Sequence, residues 1–379
     1  MRVLGLMSGT SADGVDAVLA TFSGDPRQPQ WTLLNQAFVP YPTALHDSIV
    51  EAGQGKALSS GEWLDLAEAI TEVQAKAAQH CDASSSAKLV GCHGQTLWHR
   101  PPRADQRGAS WQVLQAPLLA QLLNKPVVHD FRAADLALGG QGAPLVPMAD
   151  AALMGRIGGW RALLNLGGIA NLSLIPPSSG PDADAAVKGW DSGPANSLVD
   201  LAMTKISSGR FSFDRDGAMA ARGRPDEAVI QNWLQEAYFQ VLPPKSTGRE
   251  LFGAADTNRR LAELGALAQA DQIATLTAFT AAVVAQDLHH LQTREQIRPV
   301  ELVVAGGGGR NPVLMHALRQ RCRGLRLRLS DEIGLPSEAR EALAFALLAW
   351  WYRLGIPGNA PAITGAQQSA VLGVIAQPA

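Results

Sequence analysis

Cysteine is scarce in this 379-residue chain: Cys81, Cys92 and Cys322 are the only three, far apart and with no CxxC pair. So odd and scattered a set argues against a disulfide framework or a structural zinc site, and it fits a reducing cytoplasm. Strong charge is also missing. With 32 basic and 34 acidic residues the net charge is −2, so no global field draws the chain to nucleic acid or an anionic membrane. Basic residues gather once, at Arg319, Arg321, Arg323, Arg326 and Arg328, with no interleaved aromatics. That pattern reads as a solvated helix end running into an edge strand. The longest apolar run, Ala342–Tyr352, falls short of the about 20 residues that a bilayer needs. The N-terminus has one Arg and a short apolar run broken by Ser8 and Gly9, which is not a signal peptide. Two phosphate-binding signatures are absent as well. There is no G-x-x-x-x-G-K-[ST], and no G-x-G-x-x-G with an acid about twenty positions on, which disfavours P-loop and dinucleotide folds.

What is present is a well-packed globule, 46% hydrophobic and 17% charged, long enough for two domains. Val3–Met7 and Val15–Ala20 are apolar runs around a turn of Ser8, Gly9, Thr10, Ser11, Asp13 and Gly14. They read as a strand pair with a tight loop. Ala162–Leu166 and Asn171–Ile175 repeat that unit around Gly167, Gly168, Ile169 and Ala170. Strands are also expected at Trp31–Val39, Leu89–Cys92, Pro126–His129, Val187–Trp190 and Val300–Ala305. Helices are expected around 61–80, 116–123, 197–207, 271–291, from Pro312 onward, and over 335–353. This alternation indicates an α/β fold, and the repeated hairpin indicates a duplicated domain with a cleft between the copies. The boundary falls near Ala134, with the C-terminal tail able to return to the first domain.

Three glycine-rich turns follow strands, at Ser8–Gly14, Gly167–Ala170 and Gly306–Gly309. Together they suggest two hairpins holding phosphates and a third loop, opening a helix, for the rest of a nucleotide. Asp13 and Asp16 would repel a bare polyphosphate but suit one carrying Mg²⁺. Asp191 follows a strand and precedes a helix, which suits a catalytic base, a role that capping the helix need not exclude. His93 and His99 flank Gly94–Thr96 and have no third partner for a zinc site; sugar contacts suit them better. Arg132 suits a bidentate clamp on an anion or an ordinary ion pair to Asp130 or Asp135. The run Gly139–Pro144, with Gln141, reads as an ordered, backbone-bending loop. Asp214, Asp216 and Gly217 resemble part of a calcium loop but lack its remaining ligands, and read as a turn.

Taken together, the runs GLMSGTSADGVDAV, HGQTLWHRP, DFRAADLALGGQGAPLVP, NLGGIANLS, WDSGPANSLVD, FDRDG, AGGGGRNP and EALAFALLAW resemble the anhydro-N-acetylmuramic acid kinase family. They extend over nearly the whole chain in consistent order. The family more often has Met at position 12, and Thr and Gly where Ser192 and Ala195 stand. The resemblance implies the duplicated actin-like (ribonuclease H-like) fold with an interdomain cleft, here as residues 1–134, completed by about 355–379, and residues 135–354. It implies a cytoplasmic, homodimeric enzyme of cell-wall recycling. That enzyme would convert 1,6-anhydro-N-acetylmuramic acid, ATP and water to N-acetylmuramic acid 6-phosphate and ADP. Asp191 would deprotonate the attacking water, Glu341 would help orient it, and Arg132 would support the sugar or developing charge. ATP would meet Gly9, Thr10, Ser11, Ala12, Asp13, Gly14, Val15, Asp16, Gly167, Gly168, Gly306, Gly307, Gly308 and Asn311. The sugar would meet His93, Gln95 and Gln141, and Asp16 would hold Mg²⁺. Two rivals remain at this point: a kinase of another sugar or anhydrosugar, and a non-catalytic ATP-binding regulatory protein.

Overall fold

In the computed structural model, which describes every residue except Thr10, Ala104, Pro244, Arg249 and Glu250, the opening apolar runs pair antiparallel. β1 (Arg2–Ser8) meets β2 (Gly14–Ser23), and β3 (Gln30–Pro40) lies on the other side of β2. β4 (Leu89–Arg100) joins β1 in parallel, β5 (Ala109–Val113) folds back on the end of β4, and β6 (Val127–His129) joins β4 in parallel. The spatial order is β3-β2-β1-β4-β6. The second sheet repeats it. β7 (Arg161–Leu166), β8 (Ile169–Ile175) and β9 (Lys188–Pro194) are antiparallel neighbours, and β10 (Glu301–Ala305) and β11 (Arg326–Leu329) add in parallel. Its order is β9-β8-β7-β10-β11. Identical order and identical strand senses make this a duplicated α/β fold of the actin-like kind. The basic cluster lies where its spacing predicts, in the last turn of helix Pro312–Arg321 and on the edge strand β11.

The chain divides into two compact units, Met1–Gly155 with Glu338–Ala379, and Arg156–Ser337. The sequence placed those divisions near 134 and 354, which puts the helix expected over 335–353 in the wrong half. That helix runs from Arg340 to Leu354 and is almost wholly buried. Ala and Leu favour it, apolar residues all round it demand burial, and Gly355 ends it in the left-handed conformation at φ 70°. It lies directly on the first sheet, because β1 and β4 place glycines side by side there, Gly5 opposite Gly91. A Cβ on Gly5 would stand 2.0 Å from the Ala342 carbonyl oxygen, and one on Gly91 would stand 2.3 Å from that of Phe345. At the helix start, Arg340 forms a buried bidentate pair with Asp150, at 2.8 and 2.7 Å. The tail returns to the same unit, where Val374–Ala376 pairs antiparallel with β6.

Candidate active site

The first glycine turn is tied down from within its own sheet. Gln95, fully buried, accepts from the Ser8 hydroxyl and donates its amide to the Gly9 carbonyl at 2.9 Å. Its side chain therefore shapes the turn, where a direct sugar contact was expected. Ala12 sits at φ 57° and its amide bonds the Gly9 carbonyl. Gly14 is required by close packing, since a Cβ would lie 2.4 Å from the Val39 carbonyl oxygen. Val15 and Ala12 send their side chains into the core, which leaves only backbone at these positions for a ligand. Gly9 differs: a Cβ there would meet nothing nearer than the Ser11 hydroxyl at 3.9 Å, and Ser11 and Asp13 are exposed. Thr10, expected on this turn, lies outside the described residues.

Acidic groups crowd the base of β2. Burial raises the Asp16 carboxyl to a pKa of about 6, and the charges of Glu341 and then Asp13 add to it. A cavity of about 140 Å³ opens beside it, lined also by Gln36, Phe38 and Glu338. Folding thus raises this pKa above its ordinary 3.8. The stabilisation from protonated Asp16 is full below about pH 4 and is lost as the pH rises through about 6. Asp16→Asn is expected to gain melting temperature relative to the parent between pH 4 and pH 7. Thermal scans at matched ionic strength check this; a difference that stays constant with pH would count against it.

Arg132 and His93 form the other polar centre of this unit. Neither expected ion pair of Arg132 forms. One guanidinium nitrogen donates to the Gly142 carbonyl at 2.7 Å and another to His93 Nε2 at 3.0 Å. His93 Nδ1–H donates to the Gly94 carbonyl at 2.9 Å, which fixes the tautomer that accepts at Nε2. His93 lies within β4, because that strand runs to Arg100 instead of stopping at Cys92. The ring is buried against Phe345, with centroids 4.6 Å apart. Burial, then the Arg132 charge, push its pKa down to about 3. Both His93 nitrogens are thus engaged within the protein, where a sugar contact was expected. Arg132 itself is lowered to about 10 by burial, against the charges of Glu341 and Asp135, and stays cationic at neutral pH. Histidine-to-Gln replacement at 93 is expected to leave the pH profile between 5 and 8 unchanged in shape. A lost ionisation near 6.5 in that variant would contradict the neutral, accepting imidazole.

The loop before Pro144 is organised by Asp135, which the sequence offers only as an ion-pair partner for Arg132. Asp135, fully buried, accepts from the Gly142 amide at 2.8 Å and from Asn359 and Thr364 at 2.6 Å each. The Gln141 amide donates to the Thr364 carbonyl at 2.8 Å.

In the second unit the turn Gly167–Gly168 leans on the helix Asn196–Ile206. Its carbonyls accept from the amides of Ala195, Asn196 and Ser197 at 2.9–3.1 Å. That helix N-terminus is therefore occupied by the turn, and Asp191 is not its cap. Gly167 and Gly168 are open above: no atom would stand closer than 3.7 Å to a Cβ. Gly306, at φ 82°, and Gly308 pack against Leu166, whereas Gly307 faces open space. Asn311 caps the helix Pro312–Arg321 with its side-chain oxygen, at 3.0 and 3.1 Å from the amides of Val313 and Leu314. Gly217 rests against it, and Asp214 accepts from the amides of Met219 and Ala220, a turn and not a cation loop.

Asp191 itself lies inside β9, one residue before a β-bulge. Asn171 pairs with Asp191, but Ala170 pairs with Gly193, so Ser192 is the extra residue. Bulges redirect side chains, and this one sits at the expected base. A segment about fifty residues further along the chain then fixes it. The Thr247 amide donates to Asp191 Oδ2 at 2.9 Å, the Tyr238 hydroxyl donates to the Asp191 carbonyl at 2.7 Å, and the Asp191 amide bonds the Lys245 carbonyl at 3.0 Å. The visible signal was the polar run Lys245-Ser246-Thr247-Gly248 after Pro243-Pro244.

Among the described residues no three His, Cys, Asp or Glu side chains form a metal cage, and no helix is long and apolar enough to cross a membrane. Known proteins match this chain from end to end. The family model for anhydro-N-acetylmuramic acid kinase matches residues 1–378. Proteins named anhydro-N-acetylmuramic acid kinase from Prochlorococcus marinus (strain MIT 9303) and Synechococcus sp. (strain CC9902) are 68% and 67% identical over 379 residues, covering all of both chains. Among solved structures, a ROK family glucokinase from Streptomyces griseus in complex with glucose and AMPPNP is 13% identical, with a TM-score of 0.40, over 92% of this chain and 99% of that one. The full-length family match and these identities establish that the chain belongs to the anhydro-N-acetylmuramic acid kinase family.

Proposed function

We propose that this chain is the kinase its family name describes: it opens 1,6-anhydro-N-acetylmuramic acid hydrolytically and phosphorylates O6 with ATP. The observation that carries the reading is Asp191, whose carboxylate accepts from the Thr247 amide and whose backbone is bonded to Tyr238 and Lys245 at a β-bulge, in a chain with full-length family membership. Asp191 takes a proton from water as the water oxygen bonds to the anomeric carbon. The C1–O6 bond breaks, O6 takes the γ-phosphoryl, ADP leaves, and the proton passes to solvent. Glu341 keeps the role of orienting that water, and Arg132 stabilises negative charge as it develops on sugar oxygens.

For ATP, the room at Gly9 in the first unit, and at Gly167, Gly168 and Gly307 in the second, suits backbone contact with phosphate oxygens. Ser11 and Asp13 flank the first turn, while Gly306, Gly308 and Asn311 serve by holding the third loop in shape. For Mg²⁺, the crowding of Asp16 by Glu341 and Asp13 fits a hard cation that takes one or two carboxylates and completes its shell with water and phosphate. A cation held there would supply charge neutralisation to the transferring phosphoryl group. We further propose that the protein works in the cytoplasm as a homodimer, in cell-wall recycling.

The test is ADP release with ATP and Mg²⁺, with and without the anhydrosugar. Strong sugar dependence is expected; equal release in both would remove this substrate from consideration.

A further inference from the structure

The base candidate has a neighbour whose chemistry is unfinished. Thr247 donates its backbone amide to Asp191 Oδ2 at 2.9 Å, yet its own hydroxyl is buried and makes no hydrogen bond among the described residues. A buried hydroxyl left unpaired is unfavourable unless a water or ligand completes it. This one belongs to the residue that touches the carboxylate proposed to activate water. The support behind it is elaborate for a loop. Lys245, two residues earlier, is buried and pairs with buried Asp287 at 3.1 Å, and its ammonium lies 5.0 Å from the centre of the Tyr238 ring. Asp287 also accepts from the Trp190 indole at 2.8 Å, so the residue before Asp191 is tied to the same ion pair. Tyr238 returns to the Asp191 carbonyl. These bonds set the backbone on both sides of the carboxylate–threonine pair.

We propose that Thr247 is a catalytic residue whose hydroxyl binds the attacking water beside Asp191, and that Lys245, Asp287 and Tyr238 are positioning residues for both. The proposal rests on the reading of Asp191 as the base. The threonine oxygen accepts a hydrogen bond from one O–H of the water and so leaves the other O–H directed at the carboxylate. No bond to Thr247 forms or breaks; the proton lost goes to Asp191.

Thr247→Val keeps the backbone amide and the branched shape and removes only the hydroxyl. It is expected to melt no lower than the parent, since it relieves an unpaired buried group. Its kcat is expected to fall about 10- to 100-fold, with KM for ATP within about twofold. Thr247→Ser should restore most of kcat. Lys245→Met instead loosens the Thr247 amide from Asp191, so its acidic limb in the kcat–pH profile should move to higher pH, because that bond favours the ionised carboxylate. Tyr238→Phe supplies the same readout should Lys245→Met not fold. Thr247→Val with kcat within twofold of the parent, or with a raised KM for sugar and unchanged kcat, overturns the water-binding role. Limbs unmoved in folded Lys245→Met and Tyr238→Phe overturn the positioning role. Asp191→Asn separates the two readings: if it stays active, the base assignment itself fails.

Discussion

Asp191→Asn is expected to lower sugar-dependent ADP release by about 10²- to 10⁴-fold, the range for loss of a positioned general base. The replacement is nearly isosteric, and an amide oxygen still accepts the bond that Thr247 donates at 2.9 Å. The fold and ATP binding should therefore survive, with KM for ATP near that of the parent. Run in ¹⁸O-labelled water, the parent reaction should place the label on the anomeric oxygen of the product and none on the phosphate. The same pair of measurements decides between the rivals. A kinase of an open sugar needs no activated water, so its Asn variant would retain transfer to a free hydroxyl. A regulatory ATP-binding protein would show no sugar-stimulated ADP release in the parent. Label on phosphate in the parent would mean that water attacks ATP directly, and would overturn coupled ring opening.

What the sequence carries and what it hides divide along the reach of the interactions. The two hairpins and their glycine turns were legible because alternation, length and Gly placement are local properties. The duplication was legible for the same reason, as Ala162–Ile175 repeats the pattern of Val3–Ala20. Asp191 stood out by its neighbours, but its setting did not. The bulge at Ser192 depends on how β9 registers with β8, and the bonds to Asp191 come from residues 47 and 56 positions away. Arg132 was recognised as useful, yet its partner His93 is 39 residues distant, and its Nε2 is left to accept because Nδ1–H donates to the Gly94 carbonyl. Sequence adjacency suggested Asp130 or Asp135 instead, and Asp135 is committed to Gly142, Asn359 and Thr364. The helix Arg340–Leu354 was legible as a helix, but not as a member of the first unit. Which sheet a buried helix covers is settled by the fit of surfaces, and here that fit is made by two glycines.

That fit makes a single methyl group costly to stability. Gly91→Ala would place its Cβ 2.3 Å from the Phe345 carbonyl oxygen and 2.8 Å from the Ala349 Cβ. Neither obstacle is the end of a flexible side chain, so the helix or the sheet must move by about 1 Å to restore contact distance. The helix resists such a shift, because Arg340 is locked to Asp150 in a buried bidentate pair, and separating the two would leave buried charges uncompensated. A destabilisation of about 2–4 kcal/mol is expected, and Gly5→Ala should act alike, with its Cβ 2.0 Å from the Ala342 carbonyl oxygen. The effect should reach the site, since Glu341 stands in the first turn of the displaced helix. Activity at a temperature where the variant remains folded should therefore drop as well. Gly61→Ala is the control: it lies in the helix Ser60–Cys81, and a Cβ there meets nothing within 4 Å. Alanine at that position should stabilise by up to about 1 kcal/mol, through propensity and a less flexible unfolded chain. Opposite signs for the same chemical change, read as unfolding midpoints in denaturant, would assign the loss to close approach of helix and sheet. Equal midpoints for Gly91→Ala and the parent would mean that the helix has room to give, and that Glu341 owes its position to something other than the glycine pair.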